Sequence, residues 1–131
     1  MTIKSIQPEG WAPAKGYANG MLTSGQTLHI GGQIGWNKDQ VFETHDFVGQ
    51  MEQTLANIAA IVEEAGGAVT DIVRLTWFIT DKSDYLARQK EVGVAYRRVF
   101  GRHFPAMSVV VVAGLIEDGA LIEIEATAQI G

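Results

Sequence analysis

The side chains in this sequence that are best suited to chemistry are two glutamates near the end of the chain. Apolar residues alternate with polar ones along residues 121–130, which predicts a strand with Glu123 and Glu125 on one face. A carboxylate that is partly removed from water has a raised pKa, and it can then carry a proton or orient a water molecule. The alternation by itself favours simpler explanations, in which Glu123 is solvated or pairs with Arg74 on a neighbouring strand.

Tyr17 and a pair of glycines offer further polar groups. The phenol of Tyr17 can donate a hydrogen bond to a ligand, although a lone tyrosine between glycines also serves as a packing residue. Gly31 and Gly32 can present backbone N–H groups to an anion or a water, or they only permit a close approach of the backbone. They lie inside a predicted strand without a following helix, and this context does not fit a phosphate-binding loop.

The histidines give no indication of a metal site. His103 is a candidate proton carrier at the mouth of a cleft, or an exposed loop residue. The chain has no cysteine, so disulfides, thiolate nucleophiles and zinc–thiolate sites are excluded. None of the three histidines, at positions 29, 45 and 103, has the spacing of a ligand pair on one helical turn. We therefore expect neither a metal nor a cofactor.

The composition is that of one ordinary domain covering residues 1–131. Hydrophobic residues make up 47% of the chain and charged residues 19%, which is enough apolar material for one core. The formal net charge is −5 and no run of basic residues exceeds Arg97–Arg98, which argues against nucleic acid or an anionic membrane as a partner. The first residues lack the apolar segment of a signal peptide, so we expect a cytoplasmic protein.

Five strands and two helices are predicted to position these residues, in the order β-β-α-β-α-β-β. The first two strands form a predicted hairpin with its turn at Ser24–Gly25. The connections imply an α+β fold in which both helices pack on one face of a mixed sheet. The predicted strands are residues 17–22, 27–34, 71–81, 107–113 and 121–130.

Apolar residues at steps of three and four predict the two helices. Thr44 or Asp46 caps the first helix, which extends to Ala65, and Ser83 or Asp84 opens the second. The predicted buried side of the second helix consists of Leu86, Val92, Tyr96 and Val99.

The second face of the predicted sheet needs a cover. Residues 107–113 are almost continuously apolar, which is typical of a strand buried on both faces. A chain of this length with two helices has no third helix for the other face. Burial against identical copies is the simplest remedy, so we expect a closed homo-oligomer.

Four sequence blocks resemble those of one known family. They are Gly16–Gly20 (GYANG), Ile30–Ile34 (IGGQI), the helix and strand from Gln53 to Asp81, and Phe104–Ser108 (FPAMS) with Leu121–Ala126 (LIEIEA). Their order and spacing resemble the Rid family, also called YjgF or endoribonuclease L-PSP-like. The resemblance extends over nearly the whole chain.

The resemblance implies a chorismate-mutase-like α+β fold and a homotrimer with small-molecule clefts between its subunits. In the enzymatically active branch of the family, these clefts hydrolyse enamines and imines. An arginine pairs with the substrate carboxylate there, and backbone groups beside a glutamate position the attacking water. Carried over to this chain, the cleft has Glu123 as its catalytic residue and five substrate-binding residues, Tyr17, Gly31, Gly32, Gly93 and Met107.

Three of these residues depart from the family pattern. Gly31 stands where a serine is usual, Gly93 where an asparagine is usual, and Met107 where the arginine is usual. A guanidinium binds a carboxylate through two hydrogen bonds, whereas a thioether offers dispersion and a weak acceptor. We therefore expect a more apolar cleft, with Trp36 and Tyr17 nearby, and not the efficient hydrolysis of small 2-imino acids through the usual arginine.

Two classes of function follow from the resemblance. In the first, the protein is a deaminase that hydrolyses an enamine, an imine or a related reactive metabolite with Glu123. In the second, it is a non-catalytic trimer that binds a small metabolite or regulates a partner. An RNA-cleaving activity is attached by name to some relatives, and the net charge of −5 counts against it here.

Overall fold

The computed structural model describes residues 2–131. None of the helices in this part of the chain is long and apolar enough to cross a membrane. The elements are β1 (Ile3–Ile6), β2 (Gly20–Thr23), β3 (Gln26–Ile34), α1 (Phe47–Glu64), a 3-10 turn (Val69–Asp71), β4 (Ile72–Ile79), α2 (Lys82–Ala87), α3 (Gln89–Phe100), β5 (Ala106–Val111) and β6 (Ile122–Ile130).

A four-stranded mixed sheet forms the centre of the fold, with the strand order β3-β6-β4-β5. β6 is antiparallel to both of its neighbours, whereas β4 and β5 are parallel. Parallel strands need a long crossover connection, and α2 and α3 supply it. The register places Leu75 beside Met107 and Trp77 beside Val109. The predicted α+β class, with a mixed sheet and helices, is confirmed.

The N-terminal strands pair differently from the predicted hairpin. β2 is antiparallel to β1, with Ile3 opposite Thr23, and these two strands form a separate sheet. The turn after β2 is present, and Gly25 adopts a φ of 105° that a larger residue would rarely adopt. β3 pairs with β6 instead. The hairpin prediction was wrong because the four residues of β1 carry too short a pattern to reveal a strand.

The hydrophobic core lies between the sheet and the helices α1 and α3. The buried residues of α1 recur at steps of three and four, so they line one face of the helix. The sheet contributes alternate residues of its two central strands, Leu75, Trp77, Ile79, Ile122, Ile124, Ala126 and Ala128.

The second predicted helix is divided at Arg88 into α2 and α3. Its start also differs from the prediction, because Asp81 caps α2 by accepting a hydrogen bond from the N–H of Asp84 at 3.0 Å. The two segments do not share one apolar face. Leu86 is therefore 55% exposed, contrary to the prediction, whereas Tyr96 is buried as predicted.

Asp46, one of the two predicted caps, begins α1 and also contacts the junction of α2 and α3. Its carboxylate accepts a hydrogen bond from the N–H of Gly49 at 3.1 Å and forms an ion pair with Arg88 at 2.6 Å. The hydrogen bond from Arg88 holds the pKa of Asp46 below its ordinary value. Arg88 also pairs with Glu91 at 2.8 Å. This small network connects the two helical parts of the fold.

Gln50 is a fully buried polar residue that connects α1 to the loop before β6. Its Nε2 donates to the carbonyl oxygens of Thr44 at 3.1 Å and Gly119 at 2.9 Å. Its Oε1 accepts from the N–H of Leu121 at 2.8 Å. The segment that follows β3 also passes very close to α1, since a Cβ added to Gly35 would lie 2.6 Å from the Cβ of Gln50. The network fixes the segment that leads into β6.

Within residues 2–131, no helix covers the second face of the sheet, which we call the outer face. Arg74 and Thr76 of β4 lie on it, beside Glu125 of β6. β5 is an edge strand, and Val110 on its outer side is 40% exposed. The prediction that residues 107–113 are buried on both faces is therefore wrong for the single chain.

Candidate functional site

Glu123 lies in the middle of the sheet on the outer face. It is opposite Phe78 of β4 on one side and Ile34 of β3 on the other. Its carboxylate lies directly against Gly32, because a Cβ added to Gly32 would be 2.5 Å from Oε2 of Glu123. The side chain is half-buried, and within residues 2–131 it has no hydrogen bond or ion pair. The alternative pairing with Arg74 is not formed.

A β-bulge lies beside this carboxylate, and the missing Cβ of Gly32 leaves room for it. The register between β3 and β6 shifts between Ile30 and Gln33, so the two glycines between them oppose one residue of β6. Such a bulge leaves backbone groups of the extra residue without a partner in the sheet. A Cβ added to Gly31 would meet nothing within 4 Å, in contrast to one on Gly32. Of the two glycines, only Gly32 is required by the position of Glu123.

Glu123 and Gly32 line a cleft of about 340 Å³, which we call the glutamate cleft. Trp36 forms part of its wall, and the ring of Trp36 packs against Phe42 with the ring centroids 5.8 Å apart. The cleft combines a free carboxylate, backbone amides and an indole, which can hold a small ligand and a water molecule. Its other lining residues are Gln33, Ile34, Gln40, Ile116 and Glu117.

Met107 and Gly93 line a second cleft, of about 380 Å³, between α2–α3 and the strands β4 and β5. We call it the methionine cleft. Met107 is half-buried and packs against the core. Trp77 forms part of the wall, is 2% exposed, and has no hydrogen-bond partner for its indole N–H among the described residues. The remaining lining residues are Lys15, Gly16, Tyr85, Gln89, Val92, Tyr96, Arg97, Phe104 and Val109.

Tyr17 lies next to the methionine cleft without lining it. The backbone N–H of Ala18 donates to the carbonyl oxygen of Pro105 at 2.9 Å, which holds this segment against the start of β5. Tyr17 itself is 43% exposed. Its phenol is therefore accessible to a ligand or to another subunit.

The six predicted site residues form two groups in the single chain. Gly31, Gly32 and Glu123 lie on the outer face of the sheet, whereas Gly93 and Met107 lie on the face that carries the helices. Tyr17 lies beside the second group, because its neighbour Gly16 lines the methionine cleft. The sheet separates the two groups, so one chain alone does not bring all six residues into one cleft.

His103 has a structural role that the sequence did not predict. Its Nε2 lies 2.7 Å from the carbonyl oxygen of Ile72, which can only accept, so the ring N–H donates this bond. The backbone carbonyl of His103 accepts a hydrogen bond from the hydroxyl of Tyr96 at 2.5 Å. Burial raises the pKa of this hydroxyl well above its ordinary value. Both side chains hold the end of α3 against β4.

Sequence reasoning missed two charged residues of the methionine cleft, Lys15 and Arg97. Arg97 follows Gly93 by four residues, which places both on one side of a helix, so this spacing was a usable signal. Lys15 lies in an irregular segment, and no periodicity could have placed it. No three His, Asp or Glu residues of the described chain are grouped as a metal would require.

Comparison with known proteins agrees with the sequence blocks. The profile of the family described as Endoribonuclease L-PSP matches residues 8–130. A 2-iminobutanoate/2-iminopropanoate deaminase of Escherichia coli strain K12 is 39% identical over 129 residues, which are 95% of this chain and 96% of the relative. A RutC family protein of Pasteurella multocida is 42% identical over 108 residues, covering 79% of this chain and 80% of the relative.

The fold has a close match among solved structures. The crystal structure of the Rid-family protein YyfB from Yersinia pestis has a TM-score of 0.88 and 32% sequence identity, and the match covers 99% of this chain and 100% of that one. The family match spans almost all of the sequence, and the topology agrees with it. The chain therefore belongs to the Rid family of endoribonuclease L-PSP-like proteins.

Proposed function

We propose that the protein is a deaminase that hydrolyses an enamine, an imine or a related reactive metabolite in a cleft between the subunits of a homotrimer. The observation that carries this proposal is the position of Glu123, whose carboxylate lies on Gly32 without a partner among the described residues. A carboxylate with no competing hydrogen bond is available to accept a proton from water. The name of the Escherichia coli relative, an imine deaminase, supports the same chemistry.

The proposed reaction uses Glu123 as a general base and then as a general acid. Its carboxylate accepts a proton from a water molecule while the water oxygen bonds to the carbon of the C=N group. The proton then passes to the nitrogen, which gives a carbinolamine. Glu123 next takes the proton of the new hydroxyl group and delivers it to the same nitrogen, the C–N bond breaks, and ammonia leaves a carbonyl product. Backbone groups at the bulge of Gly31 and Gly32 hold the water in place. One imine and one water thus give one carbonyl compound and one ammonia.

The uncovered outer face supports a closed homo-oligomer, which we propose is a trimer. Val110 at the sheet edge is 40% exposed, and Phe78 beside Glu123 is half-buried although no helix of the described chain covers it. Glu123 and Met107 lie on opposite faces of one sheet, so a cleft that contains both needs two copies. Light scattering should give a mass three times the 14.2 kDa of one chain. A monomer at micromolar concentration would contradict the proposed cleft.

An ammonia-release assay tests the activity. Imines are generated in situ from aliphatic and aromatic amino acids by an amino-acid oxidase, and ammonia formation is followed with and without the protein. Glu123→Gln should lower the rate by about 100-fold or more, because an amide cannot act as a base. Glu125→Gln is the matched control, since Glu125 is exposed on the same strand face. No acceleration by the unmodified protein with any imine would refute the proposal.

The lining of the methionine cleft favours a second candidate, a non-catalytic trimer that binds a small metabolite. Met107 and aromatic rings form much of its wall, and the hydroxyl of Tyr96 is already engaged with His103. The cleft thus has binding surface, and none of its described lining residues is a carboxylate or a histidine. This candidate predicts saturable ligand binding without ammonia release, and unchanged affinity in Glu123→Gln.

A further inference from the structure

Two positive side chains, Lys15 and Arg97, stand at the methionine cleft. They are the charged members of its lining, and none of its described lining residues is a carboxylate. Both side chains are exposed to solvent. A cleft with positive charge at its mouth and apolar walls fits a ligand that has one negative end and one apolar end.

Arg97 has no carboxylate partner within residues 2–131, unlike Arg88 and Arg98. Arg98 pairs with Glu52 at 3.0 Å, and Arg88 pairs with Asp46 at 2.6 Å. A guanidinium is a planar fork of N–H donors that matches the two oxygens of a carboxylate. The guanidinium of Arg97 is therefore the group at this cleft that is best suited to hold an anion.

Gly93 provides the room for this guanidinium. A Cβ added to Gly93 would lie 3.2 Å from Nη1 of Arg97, so the guanidinium lies over the glycine, one turn back along α3. Gly93 and Arg97 line the same cleft. A longer side chain at position 93 would compete with the guanidinium for this place.

The rest of the cleft is suited to an apolar group. Trp77, Met107 and Val109 are neighbours on β4 and β5 and face α3. The volume of about 380 Å³ lies within the range of small-molecule sites, roughly 300–1,000 Å³. Met107 carries no charge, so anion recognition at this cleft depends on Arg97 and Lys15.

We infer that Arg97 binds the carboxylate of the substrate, that Lys15 adds to the positive potential, and that an apolar side chain of the substrate packs on Trp77, Met107 and Val109. The substrate class is a carboxylate-bearing imine or enamine with a large aliphatic or aromatic group. The inference deepens the proposed function, on which the imine identity of the substrate rests. Glu123 of the same chain lies across the sheet, so the catalytic carboxylate comes from a neighbouring copy.

Isothermal titration calorimetry on the full-length protein tests the anion site without requiring turnover. The probes are 2-oxo-4-phenylbutanoate, a stable oxo analogue of such an imine, and its neutral amide of nearly the same shape. Arg97→Gln should weaken carboxylate binding by at least about fivefold, an effect between those of an exposed ion pair and a charged hydrogen bond. Binding of the amide should not change. Arg98→Gln removes a neighbouring charge outside the cleft and should leave both affinities unchanged.

Three results would overturn the inference. The first is equal affinity of Arg97→Gln and the unmodified protein for the carboxylate. The second is a loss of affinity in Arg97→Gln that is as large for the amide as for the carboxylate, and the third is a loss of carboxylate affinity in Arg98→Gln that equals the loss in Arg97→Gln. The absence of saturable carboxylate binding to the unmodified protein would overturn it as well. These outcomes are distinct from failure of the deaminase proposal. Ammonia release that is unaffected by Arg97→Gln would refute the anion site alone, whereas selective carboxylate binding without ammonia release would refute only the deaminase.

Discussion

Replacing Gln50 should destabilise the protein more than any surface glutamine, because Gln50 makes three hydrogen bonds from a fully buried position. Its amide donates to the carbonyls of Thr44 and Gly119 and accepts from the N–H of Leu121. Gln50→Ala deletes all three bonds and leaves three backbone groups without their partner. Unpaired buried polar groups carry a desolvation cost that a solvated chain does not pay.

The magnitude follows from the number of bonds. A typical hydrogen bond contributes about 0.5–1.5 kcal/mol net, so three give about 1.5–4.5 kcal/mol. Gln50→Ala should fall in the lower half, about 2 kcal/mol, because water can enter the polar space that the shorter side chain leaves. Gln50→Leu should cost about 3–4 kcal/mol, because leucine fills the space and keeps water out. A domain of ordinary stability, about 5–15 kcal/mol, would survive either change.

Urea unfolding followed by tryptophan fluorescence measures these differences. All variants are compared at the same protein concentration, because assembly adds to the apparent stability. Gln53→Ala is the matched control on the same helix, since Gln53 is only half-buried and donates one side-chain bond, to Asn57 at 2.9 Å. It should cost less than about 0.5 kcal/mol.

The order of the two Gln50 variants is the sharper part of this prediction. If Gln50→Leu were more stable than Gln50→Ala, the three backbone groups would not depend on the amide for their hydrogen bonds. A loss below about 1 kcal/mol in both variants would refute the reasoning outright.

Two further predictions concern the glutamate cleft and the start of α1. Gly32→Ala should lower ammonia release by at least about tenfold, because the new Cβ takes the place of the Glu123 carboxylate. Gly114→Ala is the matched control, because a Cβ there meets nothing within 4 Å and Gly114 lines neither cleft; equal rates in the two variants would contradict the prediction. Asp46→Asn should be less stable than the unmodified protein at pH 7, as measured by urea unfolding. This difference in stability should vanish as the pH falls through the lowered folded-state pKa of Asp46, because protonation ends its ion pair with Arg88. A stability difference that does not depend on pH would refute this prediction.

The parts of the fold that could be predicted are those with an unbroken hydrophobic period. α1 was predicted over residues 46–65 and extends over Phe47–Glu64, and β6 was predicted over residues 121–130 and extends over Ile122–Ile130. β1 could not be found, because its partner β2 is distant in sequence and neither strand exceeds four residues. The break at Arg88 was also hidden, since the residues around it are acceptable in a helix.

The sequence offers a set of candidate site residues but not their arrangement. Alternation along one strand shows that neighbouring residues face opposite ways, but it does not show which face the helices cover. The pairing of Met107 with Leu75, and of Glu123 with Phe78, decides that the two lie on opposite faces. The unpaired state of Arg97 also depends on tertiary neighbours, and no local pattern could have shown it.

The three tryptophans give each cleft its own optical reporter. Trp77 is in the wall of the methionine cleft, Trp36 is in the wall of the glutamate cleft, and Trp11 is 61% exposed and lines neither. Replacing two of them by phenylalanine leaves one indole whose emission responds to a single location. Ligand contact with the methionine side or the glutamate side of the proposed intersubunit cleft, and the order of these contacts in time, then becomes visible by stopped-flow fluorescence in an otherwise unlabelled protein.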